Sequence, residues 1–213
     1  MSKMEEVREL VVKGKAKLIA AATQEALDEG NAASAVLDIM IDAMGEVGEK
    51  FKNNEIFVPE MLIAARAMKK GVEVLKPELA AAGGAASNGK IILGTVAGDL
   101  HDIGKNLVGL MYESAGFEVI DLGVDVPKEK FVETFKANPD TKIIALSALL
   151  TTTMPAMKET VAALNASPAR SRFKIMVGGA PITQAFCDEI GADVYTEDAA
   201  SAGQAAKALA LAK

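Results

Sequence analysis

A single histidine, His101, and a carboxylate two residues before it, Asp99, are the side chains of this chain best suited to bind a metal. A carboxylate that accepts one imidazole N–H fixes the tautomer and the orientation of the ring, and it makes the other ring nitrogen a better metal donor. Gly104 follows three residues later, where it permits a close approach of the backbone as a helix begins. This spacing predicts that His101 is a metal ligand and that Asp99 is its partner.

The pair Gly104-Lys105 also resembles the end of a phosphate-binding loop. That motif needs a glycine five positions before its Gly-Lys pair and a Ser or Thr directly after it. Here those positions hold Asp99, whose charge would repel phosphate, and Asn106. No Gly-x-Gly-x-x-Gly pattern occurs in the chain either. The sequence therefore argues against a nucleotide-binding loop.

Two more loops carry residues that could line a ligand site. The segment 147–154 follows an apolar run and concentrates hydroxyl groups, at Ser147, Thr151, Thr152 and Thr153. Helix capping explains one or two of these hydroxyls, but four are more than one cap needs. The pair Gly178-Gly179 removes side chains where another apolar run ends, although such a pair also fits an ordinary turn.

The elements that position these loops alternate along residues 90–213. Short apolar runs predict strands at 90–96, 117–123, 142–147, 173–179 and 192–197. Amphipathic segments predict helices at 104–114, 128–137, 154–165 and 182–190, followed by a closing Ala-rich helix. Five strands alternating with five helices are typical of an α/β fold with a doubly wound, Rossmann-like parallel sheet. In such sheets ligands bind beyond the carboxyl ends of the strands, which is where the three loops fall.

Residues 1–80 have a helical period throughout and predict a four-helix bundle. Breaks fall at Gly14, at Gly30-Asn31 and at Asn53-Asn54, and a fourth helix is expected from near Pro59 to about Leu79. Small residues without large apolar side chains follow at 81–89 and predict a flexible linker. The domain prediction is therefore a bundle at 1–80, a linker at 81–89 and an α/β domain at 90–213.

The order of the three loops resembles that of the B12-binding domain family, and the bundle resembles the helical cap of B12-dependent methyltransferases. The motifs that carry the resemblance are Asp99-x-His101-x-x-Gly104, Ser147-x-Leu149 and Gly178-Gly179. Small corrinoid proteins of three-component methyltransferase systems, which handle methanol, methylamines or aryl methyl ethers, are the members most similar in organisation. The resemblance implies a cobalamin cofactor whose cobalt is methylated in turnover (methylcobalamin).

The resemblance also assigns roles to individual residues. It implies that His101 replaces the cofactor's own base as lower ligand of cobalt, in the base-off, His-on form, and that Thr153 completes a hydrogen-bond relay through Asp99. Residues expected to contact the cofactor or its nucleotide tail are Gly104, Ser147, Leu149, Thr151, Gly178 and Gly179. Residues expected over the upper, methyl-bearing face of the corrin are Phe51, Val58 and Met61.

The same resemblance implies a carrier subunit rather than a complete catalyst. Its expected partners are a donor-specific methyltransferase, an acceptor methyltransferase that uses tetrahydrofolate or a thiol coenzyme, and a corrinoid reductive activase. The net charge of -6 argues against a nucleic-acid partner. The charged N-terminus and the absence of a long apolar run predict a cytoplasmic protein without a membrane segment.

Three other classes remain open on the sequence. The B12-binding subunit of an adenosylcobalamin-dependent mutase shares the Asp–His–Gly loop, although the helices of residues 1–80 argue against it. A B12 photoreceptor-type regulator would need a DNA-binding segment before the bundle. A flavodoxin-like signalling domain would bind no cofactor and would be colourless.

Overall fold

The computed structural model describes residues 2–81 and 88–211. These residues form two compact units, one made by the described part of residues 1–88 together with 113–116, and the other by 89–112 and 117–211. Residues 82–87 of the predicted linker lie outside the described residues, so the domain boundaries stay a prediction. No helix within the described ranges combines the length and the apolarity that crossing a bilayer would require.

Between residues 2 and 81 the structure describes four helices: α1 (Lys3–Val12), α2 (Ile19–Asp28), α3 (Ala33–Lys52) and α4 (Val58–Ala81). The side chain of Ser2 caps α1 by accepting the N–H of Glu5. The predicted breaks are confirmed: Gly14 and Gly30 have left-handed backbones, and so does Asn54. The fourth helix starts at Val58, so Pro59 lies in its first turn, where a proline is tolerated.

The bundle core is built from the inward faces of these helices. Its fully buried side chains recur at helical spacing and are almost all apolar, among them Val36, Met40, Val47, Met68 and Leu75. Aliphatic and Met side chains of this kind fill space between helices without directional bonds. Apolar side-chain packing, rather than a polar network, thus stabilises the bundle.

Residues 88–211 form the predicted doubly wound sheet. Its strands are β1 (Lys90–Thr95), β2 (Glu118–Asp121), β3 (Thr141–Ser147), β4 (Lys174–Gly178) and β5 (Val194–Tyr195). Its helices are α5 (Ile103–Ser114), α6 (Lys128–Ala137), α7 (Met154–Asn165), α8 (Gln184–Ile190) and α9 (Ala199–Leu211). The strands pair in parallel in the order β2-β1-β3-β4-β5, which confirms the predicted fold class.

This strand order determines where the sequence motifs meet. The crossover direction changes between β1 and β3, and a crevice opens beyond the carboxyl ends of two such neighbouring strands. Thr95, the last residue of β1, lies in register with Ser147, the last residue of β3. The loop that contains His101 therefore begins beside the hydroxyl-rich loop. Ser147 in turn lies in register with Gly178, so the third predicted loop is next in line.

Candidate functional site

The loop after β1 folds back on itself before α5 begins. The Thr95 hydroxyl is fully buried and donates to the carbonyl oxygen of His101 at 2.9 Å. The backbone N–H of Asp99 donates to the carbonyl of Val96 at 3.2 Å. Gly98 has a left-handed backbone, with φ of 81°, which lets the chain reverse at this point. The strand end thus fixes both sides of the loop that carries His101.

Asp99 and His101 form a close side-chain pair. The Nδ1 atom of His101 lies 2.7 Å from Oδ1 of Asp99, and the same oxygen accepts the backbone N–H of His101 at 3.1 Å. The Asp99 side chain is fully buried, whereas 51% of the His101 side chain is exposed. A carboxylate at Nδ1 favours the tautomer that protonates this nitrogen and leaves Nε2 as the electron-pair donor. The exposed ring is therefore held ready to bind a metal through Nε2.

The second oxygen of Asp99 connects this loop with the loop after β3. Oδ2 accepts the backbone N–H of Leu149 at 2.7 Å and that of Leu150 at 3.3 Å, and it accepts the Thr153 hydroxyl at 2.8 Å. A hydroxyl has one proton, and the carboxylate is a stronger acceptor than the Leu150 carbonyl, which lies 2.9 Å from the same oxygen of Thr153. The structure thus brings Asp99, His101 and Thr153 together as the sequence predicts.

These contacts determine the charge of Asp99. Burial alone would raise the pKa of this carboxyl, because a buried carboxylate loses its hydration. The hydrogen bonds from the Leu149 N–H, from His101 and from Thr153 outweigh burial and hold the pKa of Asp99 well below its usual range. Asp99 is therefore an anion at neutral pH, and its negative charge faces the imidazole.

Leu150 is a contact that sequence reasoning missed. Its backbone N–H binds Asp99, and a backbone donor leaves no trace in residue type. The backbone N–H of Leu149, a residue that the resemblance places at the cofactor channel, also donates to Asp99. Its side chain is exposed. Thr151 opens a short 3-10 turn and is exposed. The roles of Leu149 and Thr151 at a cofactor stay predictions.

The glycines of the site differ in what their missing side chains would meet. At Gly104 an added Cβ meets no atom within 4 Å in the described part of the chain, so protein packing does not demand a glycine here. At Gly179, which has φ of 128°, an added Cβ would lie 1.8 Å from the carbonyl oxygen of Ala148. Gly104 therefore keeps open space next to the loop of His101, and Gly179 lets two loops pack closely.

Gly178 and Ser147 close the strand ends beside this contact. The Ala148 N–H donates to the carbonyl of Gly178 at 3.2 Å, and the Val96 N–H donates to the carbonyl of Ser147 at 3.0 Å. A Cβ on Gly178 would lie 3.2 Å from the carbonyl oxygen of Thr196. Close backbone approach explains both glycines of the pair, and their predicted role at a nucleotide tail stays a prediction, as does that of Ser147.

Large apolar side chains are exposed around His101. They are Leu100 (72% exposed), Ile103 (84%), Leu149 (41%) and Leu150 (40%). Two flank the histidine on its own loop, and two lie on the loop that binds Asp99. Exposed apolar clusters of this kind mark ligand or partner surfaces. The site thus offers one oriented nitrogen within an apolar surface, which fits a flat macrocycle that presents a metal at its centre.

The three bundle residues predicted at the upper face differ in exposure. Phe51 is half-buried near the end of α3, Val58 is exposed at the start of α4, and Met61 is fully buried. The helical period puts Met61 on the inward face of α4, together with residues such as Met68. The exposed apolar side chains of the bundle are Leu18, Phe57, Val58, Leu62 and Ile63. The role of Phe51, Val58 and Met61 stays a prediction.

A doubly wound parallel sheet whose functional loops meet beyond the carboxyl ends of β1 and β3 defines the class of α/β ligand-binding proteins. Comparison with known families gives the particular one. The B12 binding domain model matches residues 89–206, and a second B12 binding domain model matches residues 4–76. The chain belongs to the B12-binding corrinoid proteins, and it binds a corrinoid cofactor.

Individual relatives cover nearly the whole chain. The chain is 43% identical to dimethylamine corrinoid protein 1 of Methanosarcina acetivorans, over 98% of this chain and 99% of that protein. A crystal structure of a cobalamin-binding protein from Desulfitobacterium hafniense is similar, with 31% identity, a TM-score of 0.81 and coverage of 97% and 98% of the two chains. A chain of the methanol:cobalamin methyltransferase complex of Methanosarcina barkeri has 28% identity and a TM-score of 0.84, with 99% of this chain and 80% of that one covered.

The chain is therefore a corrinoid protein of the kind found in methyltransferase systems. The residues in the site fit that cofactor on three grounds: Nδ1 of His101 is held by a buried anion, the space beside Gly104 is open, and the surrounding surface is apolar. His101 is also the only histidine of the chain.

Proposed function

We propose that this protein is a methyl carrier in which His101 binds the cobalt of cobalamin from below, in place of the cofactor's own base. When bound, the cobalt supplies the position at which a methyl group is accepted and released. The observation that supports the ligand assignment is the 2.7 Å contact between Nδ1 of His101 and the fully buried Asp99. The chain's own residues bind and orient the cofactor.

Each residue of the site has a separate part in this proposal. His101 donates the Nε2 lone pair. Asp99 holds the proton on Nδ1 and keeps the ring orientation, and Thr153 together with the N–H groups of Leu149 and Leu150 keeps Asp99 ionised and in place. Gly104 would leave space for the macrocycle, and the exposed Leu100 and Ile103 would offer it an apolar surface.

The carrier role requires three partners. We assign a donor-specific methyltransferase that loads the methyl group and a second methyltransferase that passes it to tetrahydrofolate or to a thiol coenzyme, both in the cytoplasm, with a reductive activase that restores inactive cofactor. The likeness to a chain of a methanol:cobalamin methyltransferase complex supports a methyltransferase partner. The likeness to dimethylamine corrinoid proteins makes methylamines the first donor class to test.

The test of the ligand assignment is the visible spectrum of the protein loaded with methylcobinamide, a methylated corrinoid that carries no base of its own. The wild type should give the spectrum of a nitrogen-ligated cobalt, and His101→Ala should give that of a corrinoid without a lower nitrogen ligand. Asp102→Ala is the matched control, because this neighbouring carboxylate is exposed and accepts a hydrogen bond from the Asn106 side chain rather than from the His101 imidazole. Identical spectra of wild type and His101→Ala would refute the assignment.

A further inference from the structure

The segment between β2 and α6 contains a residue with an unusual backbone. Asp125 has φ of 52°, in the left-handed region that side-chain-bearing residues seldom adopt. Among the described residues the other such case is Asn54, which follows the end of α3. Asp125 ends no helix. Asp adopts this conformation more readily than most residues, and the contacts that surround Asp125 stabilise it further.

The side-chain carboxylate and the backbone N–H of Asp125 both contact the loop that carries His101. Its Oδ1 atom accepts the backbone N–H of Gly98 at 2.7 Å, and its own backbone N–H donates to the carbonyl oxygen of Asp99 at 2.9 Å. The first of these bonds is charge-assisted, because the acceptor is a carboxylate. One residue therefore holds two peptide groups of this loop, the Ala97–Gly98 group before Asp99 and the Asp99–Leu100 group directly after it.

Holding those two peptide groups fixes the direction of the Asp99 side chain. The Asp99 N–H is also bound, to the carbonyl of Val96 at 3.2 Å, so the backbone of Asp99 has little freedom to rotate. The direction of the Cα–Cβ bond then decides whether Oδ1 reaches Nδ1 of His101 while Oδ2 reaches the loop after β3. A metal-binding histidine depends on such outer contacts for its tautomer and its ring orientation.

The last residue of β2, directly before this segment, contacts the other end of the His101 loop. Lys105, in the first turn of α5, is only 2% exposed, and its ammonium donates to Oδ2 of Asp121 at 2.5 Å and to Oδ1 of Asn106 at 2.7 Å. The other oxygen of Asp121 accepts the N–H of Gly123 at 2.8 Å. A buried ammonium needs such a partner. The segment 121–125 thus anchors the loop before and after His101.

We propose that Asp125 is a positioning residue for the candidate cobalt ligand, acting through the backbone of Gly98 and Asp99 on the Asp99–His101 pair. The proposal rests on the proposed function, because it matters to the cofactor only if His101 is the ligand. Its physical content, however, concerns the imidazole itself. Without the Asp125 carboxylate, the backbone before Asp99 is held less firmly, so the Asp99 side chain is less strictly directed and the preference of His101 for the proton at Nδ1 weakens.

The test uses the fact that His101 is the only histidine. Protein labelled with nitrogen-15 histidine, without cofactor, gives one imidazole whose tautomer ratio is read by NMR from the nitrogen-15 shifts of Nδ1 and Nε2, at about pH 9, well above the ordinary imidazole pKa. The informative variant is Asp125→Gly, which keeps the left-handed backbone accessible and removes only the carboxylate. Asp125→Asn retains a side-chain oxygen for the Gly98 N–H and tests rescue.

Asp198→Ala is the matched control. Its carboxylate also accepts a backbone N–H at 2.7 Å, that of Ser201, but it lies on the segment before α9. We expect Asp125→Gly to lower the ratio of the Nδ1–H to the Nε2–H tautomer by about tenfold, the scale of one charge-assisted hydrogen bond. Asp125→Asn should recover most of this loss, and Asp198→Ala should match the wild type. Thermal unfolding of each variant establishes that the fold is retained.

The outcomes separate the two proposals. A wild-type tautomer ratio in Asp125→Gly, while Asp99→Asn shifts the ratio, would overturn the role of Asp125 and leave the proposed function standing. A shift of the ratio in Asp198→Ala equal to that in Asp125→Gly would also overturn it, because the effect would then be general. A lower ratio of the Nδ1–H to the Nε2–H tautomer in Asp125→Gly, with recovery in Asp125→Asn, supports the proposal. This holds whatever the corrinoid spectrum of His101→Ala shows about the ligand.

Discussion

The helical unit and the α/β unit differ in what their interiors contain. In the described part of the helical unit, the buried polar side chains are those of Ser114 and of Thr23, whose hydroxyl donates to the carbonyl of Ile19 at 2.7 Å. The described part of the α/β unit buries a larger polar set: Thr95, Asp99, Lys105, Thr141, Thr153 and Thr160. Most of that set belongs to the loops after β1 and β3 or to the elements that flank them.

This contrast shows how the chain divides its tasks. Apolar cores tolerate exchange of side chains of similar volume, so a bundle of this kind imposes few residue identities. A buried carboxylate or ammonium, in contrast, is stable only with specific partners, and it therefore fixes the geometry of the groups around it. Substitutions in the bundle core should change stability alone, whereas those in the polar network should change stability and the state of His101 together.

The largest effect is expected for Asp99→Ala. This change leaves the N–H groups of Leu149 and His101 and the Thr153 hydroxyl without their shared acceptor. We expect the free energy of unfolding to fall by about 3–5 kcal/mol, as when one partner of a buried charged network is removed. Urea denaturation measures the loss, and Asp102→Ala, on the same loop but exposed, should lose less than about 0.5 kcal/mol. Equal losses in the two variants would contradict the account.

Met68→Ala tests the other side of the comparison. Met68 is 1% exposed in the bundle core, and its truncation should lower the free energy of unfolding by roughly 2–4 kcal/mol through a cavity. The NMR signals of the His101 imidazole should remain as in the wild type. A changed tautomer ratio in Met68→Ala would show that the state of His101 is sensitive to general destabilisation.

The contribution of Asp99 should depend on pH in a defined direction. Its pKa is lower in the folded chain than in the unfolded one, so the unfolded state takes up a proton first as the pH falls. The stability that Asp99 contributes is fully present above the ordinary carboxyl pKa of about 3.9 and is lost as the pH falls below it. The advantage of wild type over Asp99→Asn in unfolding free energy should therefore shrink in acid. An advantage that grows in acid would have the wrong sign.

The smallest effect on stability is expected for Gly104→Ala. Because no described atom lies within 4 Å of the added Cβ, and because alanine is the better helix former, the cofactor-free protein should gain about 0.5–1 kcal/mol. Its affinity for cobalamin should nevertheless fall. Gly109→Ala is the matched control on the same helix, since its Cβ would lie 3.1 Å from the Leu93 side chain. It should gain less stability than Gly104→Ala, because the Leu93 side chain must shift, and unchanged cobalamin binding by Gly104→Ala would remove the proposed role of this glycine.

The sequence predicts the fold well because apolar periodicity and chain breaks are local signals. The alternation of strands and helices, the ends at Gly14 and Gly30 and the three loops beyond β1, β3 and β4 all follow from neighbouring residues. Strand lengths are less accurate: the run at 192–197 forms a strand over Val194–Tyr195 alone. That edge strand pairs on one side only, so few hydrogen bonds extend it.

The site is only partly visible in the sequence. Asp99 and His101 can be found because their side chains carry the chemistry, and Thr153 is found only through the resemblance to the B12-binding family. Leu150 contributes a backbone N–H, and Asp125 acts through a peptide group of another loop, so neither follows from residue type or spacing. The pairing of Lys105 with Asp121 likewise depends on the parallel register of β1 and β2, which a pattern of residues does not specify.

The central claim is that His101 is the protein's ligand to cobalt. Because His101 is the only histidine in the sequence, one measurement is decisive. Protein labelled with nitrogen-15 histidine and loaded with cob(II)alamin made with natural-abundance nitrogen gives an electron paramagnetic resonance spectrum split by the lower ligand. If His101 is that ligand, each cobalt line splits into a doublet in the labelled protein and into a triplet in the unlabelled protein. A triplet in both samples would mean that the cofactor's own base is still bound, and it would contradict the account.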